Sequence, residues 1–200
     1  SNSGKLLRKF DDTHDKKGII CLAFCGNDSS SILSGGRDHT IKEYGLRSNK
    51  LINSFLGHSS NVRSIVPLED EDKFFSCSDD GFVKLWSRKN GSCVRNFDLK
   101  TIANLNANLA ISIESIAIFE VAGTSINSSE DSHGVFTCPR SRTIYLIGCT
   151  SSKILKKYAL TSDVSSDDNE VFTSFALSPN KKFIYSLTSS NRLISFDIQS

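Results

Sequence analysis

Short runs in which apolar and polar residues alternate recur along this 200-residue chain, most of them closed by Gly, Asn, Asp or Ser. A period of two puts one face of a strand in a core and the other in water, so the pattern predicts strands. They fall into sets. The first is Ile20–Phe24, Ser31–Gly35, Thr40–Tyr44 and Leu51–Phe55; the second is Val62–Leu68, Lys73–Ser78, Phe82–Trp86 and Cys93–Asp98. A third comprises Ile113–Glu120, Gly134–Cys138, Thr143–Gly148 and Lys153–Leu160, and a fourth Phe172–Leu177, Phe183–Leu187 and Arg192–Ile198. Lys100–Ala110, Val121–His133 and the acidic Thr161–Glu170 read by composition as mobile loops.

The second set holds the most informative stretch, Ser76-Cys77-Ser78-Asp79-Asp80-Gly81-Phe82-Val83-Lys84-Leu85-Trp86, with a Gly57-His58 pair one strand upstream. Ser34 to Tyr44 repeats it, with Ser34, Asp38 and Tyr44 at the Ser, Asp and aromatic positions. Looser copies begin at Thr137 and Ser186, with Ser141 and Ser190 in place of Asp and Ile147 and Phe196 in place of Trp. The frames are spaced by 42, 61 and 49 residues. A turn Asp tightens its loop by accepting hydrogen bonds, and a buried indole N–H needs an acceptor. His58, Asp80, Ser76 and Trp86 are therefore expected to form one polar network. Its reading as a hydrolase triad is disfavoured, because the repeat explains each residue as turn scaffolding.

These motifs resemble the WD40 family, whose period lies near 40–45 residues. The resemblance implies an all-β propeller with blades at about 19–55, 62–98, 113–160 and 172–198. Lys5–Phe10 resembles Lys50–Phe55 and Lys153–Tyr158 and would be the outer strand of a neighbouring blade. WD40 blades usually assemble in sevens, so residues 1–200 are expected to be an arc of a larger ring, excised from a longer chain, rather than a closed ring of four. Within the family, Ser112-Ile113-Glu114-Ser115-Ile116 and Asn191-Arg192-Leu193-Ile194-Ser195-Phe196 are similar to the transducin-beta-like type, which associates with the U3 small nucleolar RNA in the small-subunit processome. That likeness implies a non-catalytic scaffold in ribosomal RNA processing, nuclear or nucleolar, with a cytoplasmic location as the other option. The alternative is a ubiquitin- or peptide-binding adaptor of the phospholipase A2-activating-protein type, which Trp86-Ser87-Arg88-Lys89-Asn90-Gly91-Ser92 resembles.

Composition narrows the function further. With 24 basic and 22 acidic residues the net charge is +2, which is no electrostatic footprint for nucleic acid. Lys156-Lys157 and Lys181-Lys182 lack interleaved aromatics, so RNA contact is expected only indirectly. None of Cys21, Cys25, Cys77, Cys93, Cys138 and Cys149 forms a CxxC pair; they read as core thiols in a reducing compartment, with no metal or cofactor. The sequons at Asn27, Asn90 and Asn127 are read as unglycosylated. No apolar run is long enough for a membrane span. The sequence lacks GxSxG, HExxH, P-loop and GxGxxG motifs, so neither an enzyme nor a small-molecule substrate is expected.

The remaining expectation is a protein-binding rim. A propeller aperture takes residues from the start of each inner strand and from the position before the turn Asp. Those are Arg63, Glu114 and Thr173, and Arg37, Asp79 and Arg140, a mixed-charge set suited to a polar peptide of a multi-subunit complex. Ser128 and Ser165 each precede an acid by three residues in loops expected to be exposed, which suits an acidophilic kinase.

Overall fold

The computed structural model describes every residue except 1–3, 7–8, 11–12, 27–29, 69–71, 107–109, 122–130, 164, 166 and 200. Its strands form separate antiparallel sheets. The first is β1 (Ile19–Cys25), β2 (Ser31–Gly36), β3 (Ile41–Gly45) and β4 (Lys50–Phe55); the second is β5 (Val62–Pro67), β6 (Lys73–Ser78), β7 (Phe82–Ser87) and β8 (Ser92–Asp98). A one-turn helix, α1 (Leu99–Ala103), follows, with Asp98 as its N-cap accepting from the Lys100 amide. It occupies the start of a stretch expected to be loop. The third sheet is β9 (Ile113–Glu120), β10 (His133–Pro139), β11 (Thr143–Gly148) and β12 (Ile154–Ala159). The fourth has three strands, β13 (Phe172–Leu177), β14 (Phe183–Thr188) and β15 (Leu193–Asp197).

Each sheet runs in sequence order from an inner to an outer strand, as a propeller blade does. Consecutive blades pack through their inner strands: β1 and β2 on β5, β5 and β6 on β9, β9 and β10 on β13. Alternation supplies an apolar layer at each junction. Leu33, Ile41 and Phe55 meet Val62, Phe74 and Trp86 at the first. Phe75, Val83 and Phe97 meet Ile113 and Ile116 at the second, and Phe136, Ile144 and Tyr158 meet Phe172 and Ile184 at the third. The outer strands contribute one buried aromatic each, Phe55, Phe97 and Tyr158.

The row of blades is open. At one end Ile19, Leu22 and Phe24 of β1 face solvent, and at the other Phe183, Tyr185, Leu187 and Leu193 do. A closed ring of four would bury both sets, as the internal junctions bury Val62 and Val83 completely. Three expectations need correction. The described residues between 4 and 10 form no strand; Leu6 is 77% exposed, and the Phe10 ring instead lies 5.2 Å from Tyr44. Within the stretch expected to be a mobile loop, Ser165 and Glu170 are buried. Cys93 is exposed, whereas Cys25, Cys77 and Cys138 are buried free thiols; burial pushes the Cys138 thiol up to about 12.

Candidate functional site

The turns β2–β3, β6–β7, β10–β11 and β14–β15 lie at one pole, where the inner strands also begin. In the second blade His58 Nδ1 lies 2.8 Å from Asp80 Oδ2 and Nε2 lies 2.7 Å from Ser76 Oγ. The indole of Trp86 donates to the same Ser76 Oγ at 2.8 Å. An ionised Asp only accepts and an indole only donates. With the imidazole proton on Nδ1, His58 donates to Asp80, and the Ser76 hydroxyl, already accepting from Trp86, donates to Nε2. Amides of Ser59 and Phe82 also donate to Asp80. Burial is the largest influence on the Asp80 carboxyl and pushes it up; His58 and those amides outweigh it and hold it below the usual range. Gly57 sits over the indole at φ +147°, where an added Cβ would lie 3.3 Å from Trp86 Cη2. Only glycine fits that conformation and approach without strain.

The first blade builds the same tie with a residue missing from the sequence expectation. His14 Nδ1 lies 2.7 Å from Asp38 Oδ1 and Nε2 2.8 Å from Ser34 Oγ. An added Cβ on Gly36 would lie 2.3 Å from His14 Nδ1, so glycine makes room for the ring. Tyr44 does not reach Ser34; its hydroxyl donates to the Thr13 carbonyl at 3.2 Å. The fourth blade inverts the chemistry. Glu170, in the loop entering β13, is fully buried and accepts from Thr188 at the end of β14, from Arg192 of the turn that follows and from Ser165. Those bonds, Arg192's first, lower its carboxyl to about 2. An acid in the loop and a base in the turn replace the His and Asp of the earlier blades. The only sequence signal for it is an acid directly before an apolar run, with an arginine in the turn that follows.

The rim residues fall into two groups. Each inner strand carries a bulge at the same place, which leaves Ile20, Arg63, Glu114 and Thr173 without a cross-strand partner. A bulge re-aims its extra side chain. Arg63 thereby reaches Asp79 by two bonds, 2.7 Å from Nε and 2.9 Å from Nη2, and stands 4.0 Å from Glu114. Asn61 and Ser112 also donate to Asp79. Burial would raise the Asp79 carboxyl, but Arg63, Ser112 and Asn61 together hold it low. These charges are therefore engaged with one another across the junction of blades two and three. Thr173 donates to the Leu187 carbonyl at 3.3 Å, while Arg37 and Arg140 are exposed. Ser128 lies outside the described residues. Ser165 is 3% exposed with its hydroxyl donating to Glu170, so the expectation of an exposed serine there fails. The carboxylate needed a donor inside the fold, and Ser165 supplies it.

Sequence reasoning also missed an ion pair at the opposite pole. Arg88, after β7, donates at 2.5 Å to Glu43 of β3 and at 3.0 Å to Ser31 of β2, clamping the second blade to the first. Asn53 donates to the other oxygen of Glu43. Among the described residues, no three His, Cys, Asp or Glu side chains converge as metal ligands.

The family described as WD domain, G-beta repeat matches residues 4–44 and 49–87, which span both His–Asp–Ser ties. Those two segments are similar to WD repeats. The chain is 35% identical over 78 residues to Pre-mRNA-processing factor 19 of Homo sapiens, covering 39% of this chain and 16% of that protein. Similarity to WD40 repeat-containing protein smu1 of Dictyostelium discoideum extends further, at 32% over 150 residues, 73% of this chain and 24% of the relative. Pre-mRNA-processing factor 17 of Saccharomyces cerevisiae is 33% identical over 92 residues, 46% of this chain and 19% of its own length. The chain thus spans 16% to 24% of the length of these relatives.

Proposed function

We propose that this chain is a non-catalytic WD-repeat scaffold that joins proteins within a pre-mRNA-processing assembly of the nucleus. The observation that carries the scaffold half is Ser76. It is the one serine whose hydroxyl meets both His58 and the indole of Trp86, and it is fully buried. A nucleophile needs an approachable oxygen, and this one is enclosed by the core as part of a turn lock. The names of two relatives support the pre-mRNA half. Ribosomal RNA processing and the ubiquitin-adaptor reading rest only on the short motifs at 112–116, 191–196 and 86–92. Partner contact through the rim falls to Arg37 and Arg140, with the Arg63–Asp79–Glu114 cluster as a rigid polar floor beside them.

Affinity purification of the tagged full-length protein from its native cells, read by mass spectrometry, tests the proposal. Pre-mRNA-processing proteins are the expected co-purifying set. Preribosomal proteins in their place would move the assignment to ribosome assembly, and no specific set at all would overturn the scaffold reading.

A further inference from the structure

Proline occurs three times in the chain, and Pro179 is the one that follows a serine or threonine. It lies in the turn between β13 and β14, within Ser178-Pro179-Asn180-Lys181-Lys182-Phe183. β13 ends at Leu177, paired with Ile184, and the Ser178 amide then donates to the Phe183 carbonyl at 2.9 Å. The Lys181 amide donates to the Ser178 carbonyl at 2.8 Å, which makes Pro179 and Asn180 the central residues of a β-turn, where proline's fixed φ fits. The Ser178 hydroxyl donates to Asn180 Oδ1 at 2.7 Å and accepts from the amides of Phe183 at 3.0 Å and Lys182 at 3.2 Å. Ser178 is half-buried, and Pro179 to Phe183 are exposed. Ile184, the next residue, is fully buried.

Three features of this tip suit a kinase that selects proline. Proline has no N–H. A cleft without an acceptor beside the residue after its target serine takes proline there, and rejects residues whose amide would be left unpaired. Proline also keeps the residue before it out of helical backbone, so Ser178 is held extended, the form in which a cleft takes a peptide. Lys181, three residues beyond Ser178, offers a cation to an anionic group beside such a cleft. We infer that Ser178 is a phosphorylation site for a proline-directed serine kinase that prefers a basic residue two places after the proline. The γ-phosphoryl of ATP passes to Ser178 Oγ. The bond from the γ-phosphorus to the β,γ-bridging oxygen breaks, the Oγ–P bond forms and ADP leaves. The hydroxyl proton, now donated to Asn180, goes to the catalytic carboxylate of the kinase. The tip must open for this, and the bonds that open lie in the exposed turn, outside the core that holds Ile184. Ser165 differs, being 3% exposed with its hydroxyl on a carboxylate. A phosphate on Ser178 adds about two negative charges to a tip whose charged side chains are Lys181 and Lys182, and so turns it from basic to near neutral. The inference is independent of the scaffold reading.

The test treats the purified full-length protein with a proline-directed kinase of the cyclin-dependent class, ATP and Mg²⁺, beside a synthetic peptide of residues 174–184. Tandem mass spectrometry locates and quantifies the phosphate. Both substrates should carry it on Ser178. In the full-length protein Pro179→Ala should slow the modification by about tenfold or more, and Lys181→Asn by about threefold. Asparagine is chosen because it tolerates the φ of +55° at that position. Pro179 and Lys181 are exposed, so both variants are expected to fold, and circular dichroism checks that they do. Phosphate on the peptide but not on the folded protein would mean that the tip stays closed, and would overturn the site. So would phosphate on neither, or a rate at Ser178 that Pro179→Ala leaves unchanged. Protein from its native cells should yield the same phosphoserine, and unmodified peptides alone, at good depth, would count against the site.

Discussion

His14 and His58 each bridge a turn carboxylate and a core serine, so removing either ring strands polar groups that the fold keeps from water. His58→Ala or Asp80→Ala should cost about 1–3 kcal/mol in urea unfolding, the penalty for leaving buried partners unpaired. His14→Ala should behave alike, and a loss confined to the second blade's residues would show that the first-blade tie carries no stability. Asp38, Asp79 and Asp80 all titrate below the ordinary carboxylate range in the folded chain. A group with a depressed folded pKa contributes stability above its unfolded pKa and loses it as pH falls through the folded value. Stability should therefore decline on acidification from about pH 5 toward pH 2, and Asp80→Asn should make that decline shallower. Calorimetry across that range checks it; a variant as acid-sensitive as the parent would remove Asp80 as a contributor.

At the scale of elements, two polar ties hold segments that the apolar pattern alone leaves loose. Glu43 is 1% exposed, and its Arg88 partner comes from the neighbouring blade. Removing one member of a buried pair leaves an uncompensated charge, so Arg88→Met should destabilise by about 3–5 kcal/mol. The double variant Glu43→Leu/Arg88→Met should recover most of that, and additive losses would mean the two residues do not act as a pair. Glu170 does the corresponding work within the fourth blade, where it also occupies Ser165. An acidophilic kinase should therefore leave Ser165 unmodified in the native chain and modify it once Glu170→Ala frees the segment. Peptide mass spectrometry reads the difference, and equal labelling of both chains would show that Ser165 is already accessible.

At the scale of the whole molecule, the two end faces dominate behaviour in solution. Position by position, Leu193 matches Ile41, Val83 and Ile144, which the following blade and the outer strand bury completely, yet Leu193 is 67% exposed. Leu22 likewise matches Ile65 and is 60% exposed against 6%. Apolar patches of this kind drive association. A polypeptide of residues 1–200 should sediment with a mass that rises with concentration, and Leu22→Ser with Leu187→Ser should reduce that rise. A constant monomer mass in the parent would count against the faces being adhesive.

Much of this architecture is local, and local information is present in the chain. Alternation placed most strand centres, because a strand's inward face must be apolar wherever blades stack. The repeated Ser-x-x-x-Asp frame identified the turns, because a tight turn needs an acceptor at a fixed offset. It also singled out His58, since the Gly57-His58 pair is contiguous. The partners that sequence reading missed are set by tertiary contact. His14 reaches Asp38 from 24 residues away without a preceding glycine to mark it, and Arg88 reaches Glu43 across 45 residues and a blade boundary. Glu170 and Ser165 sit in an acidic stretch whose composition reads as solvated loop. Burial there follows from Arg192 arriving in the next turn, and no spacing within the segment encodes an arginine 22 residues further on. Composition and period decided the blades; only the packed fold decided which of the charges inside them are spoken for.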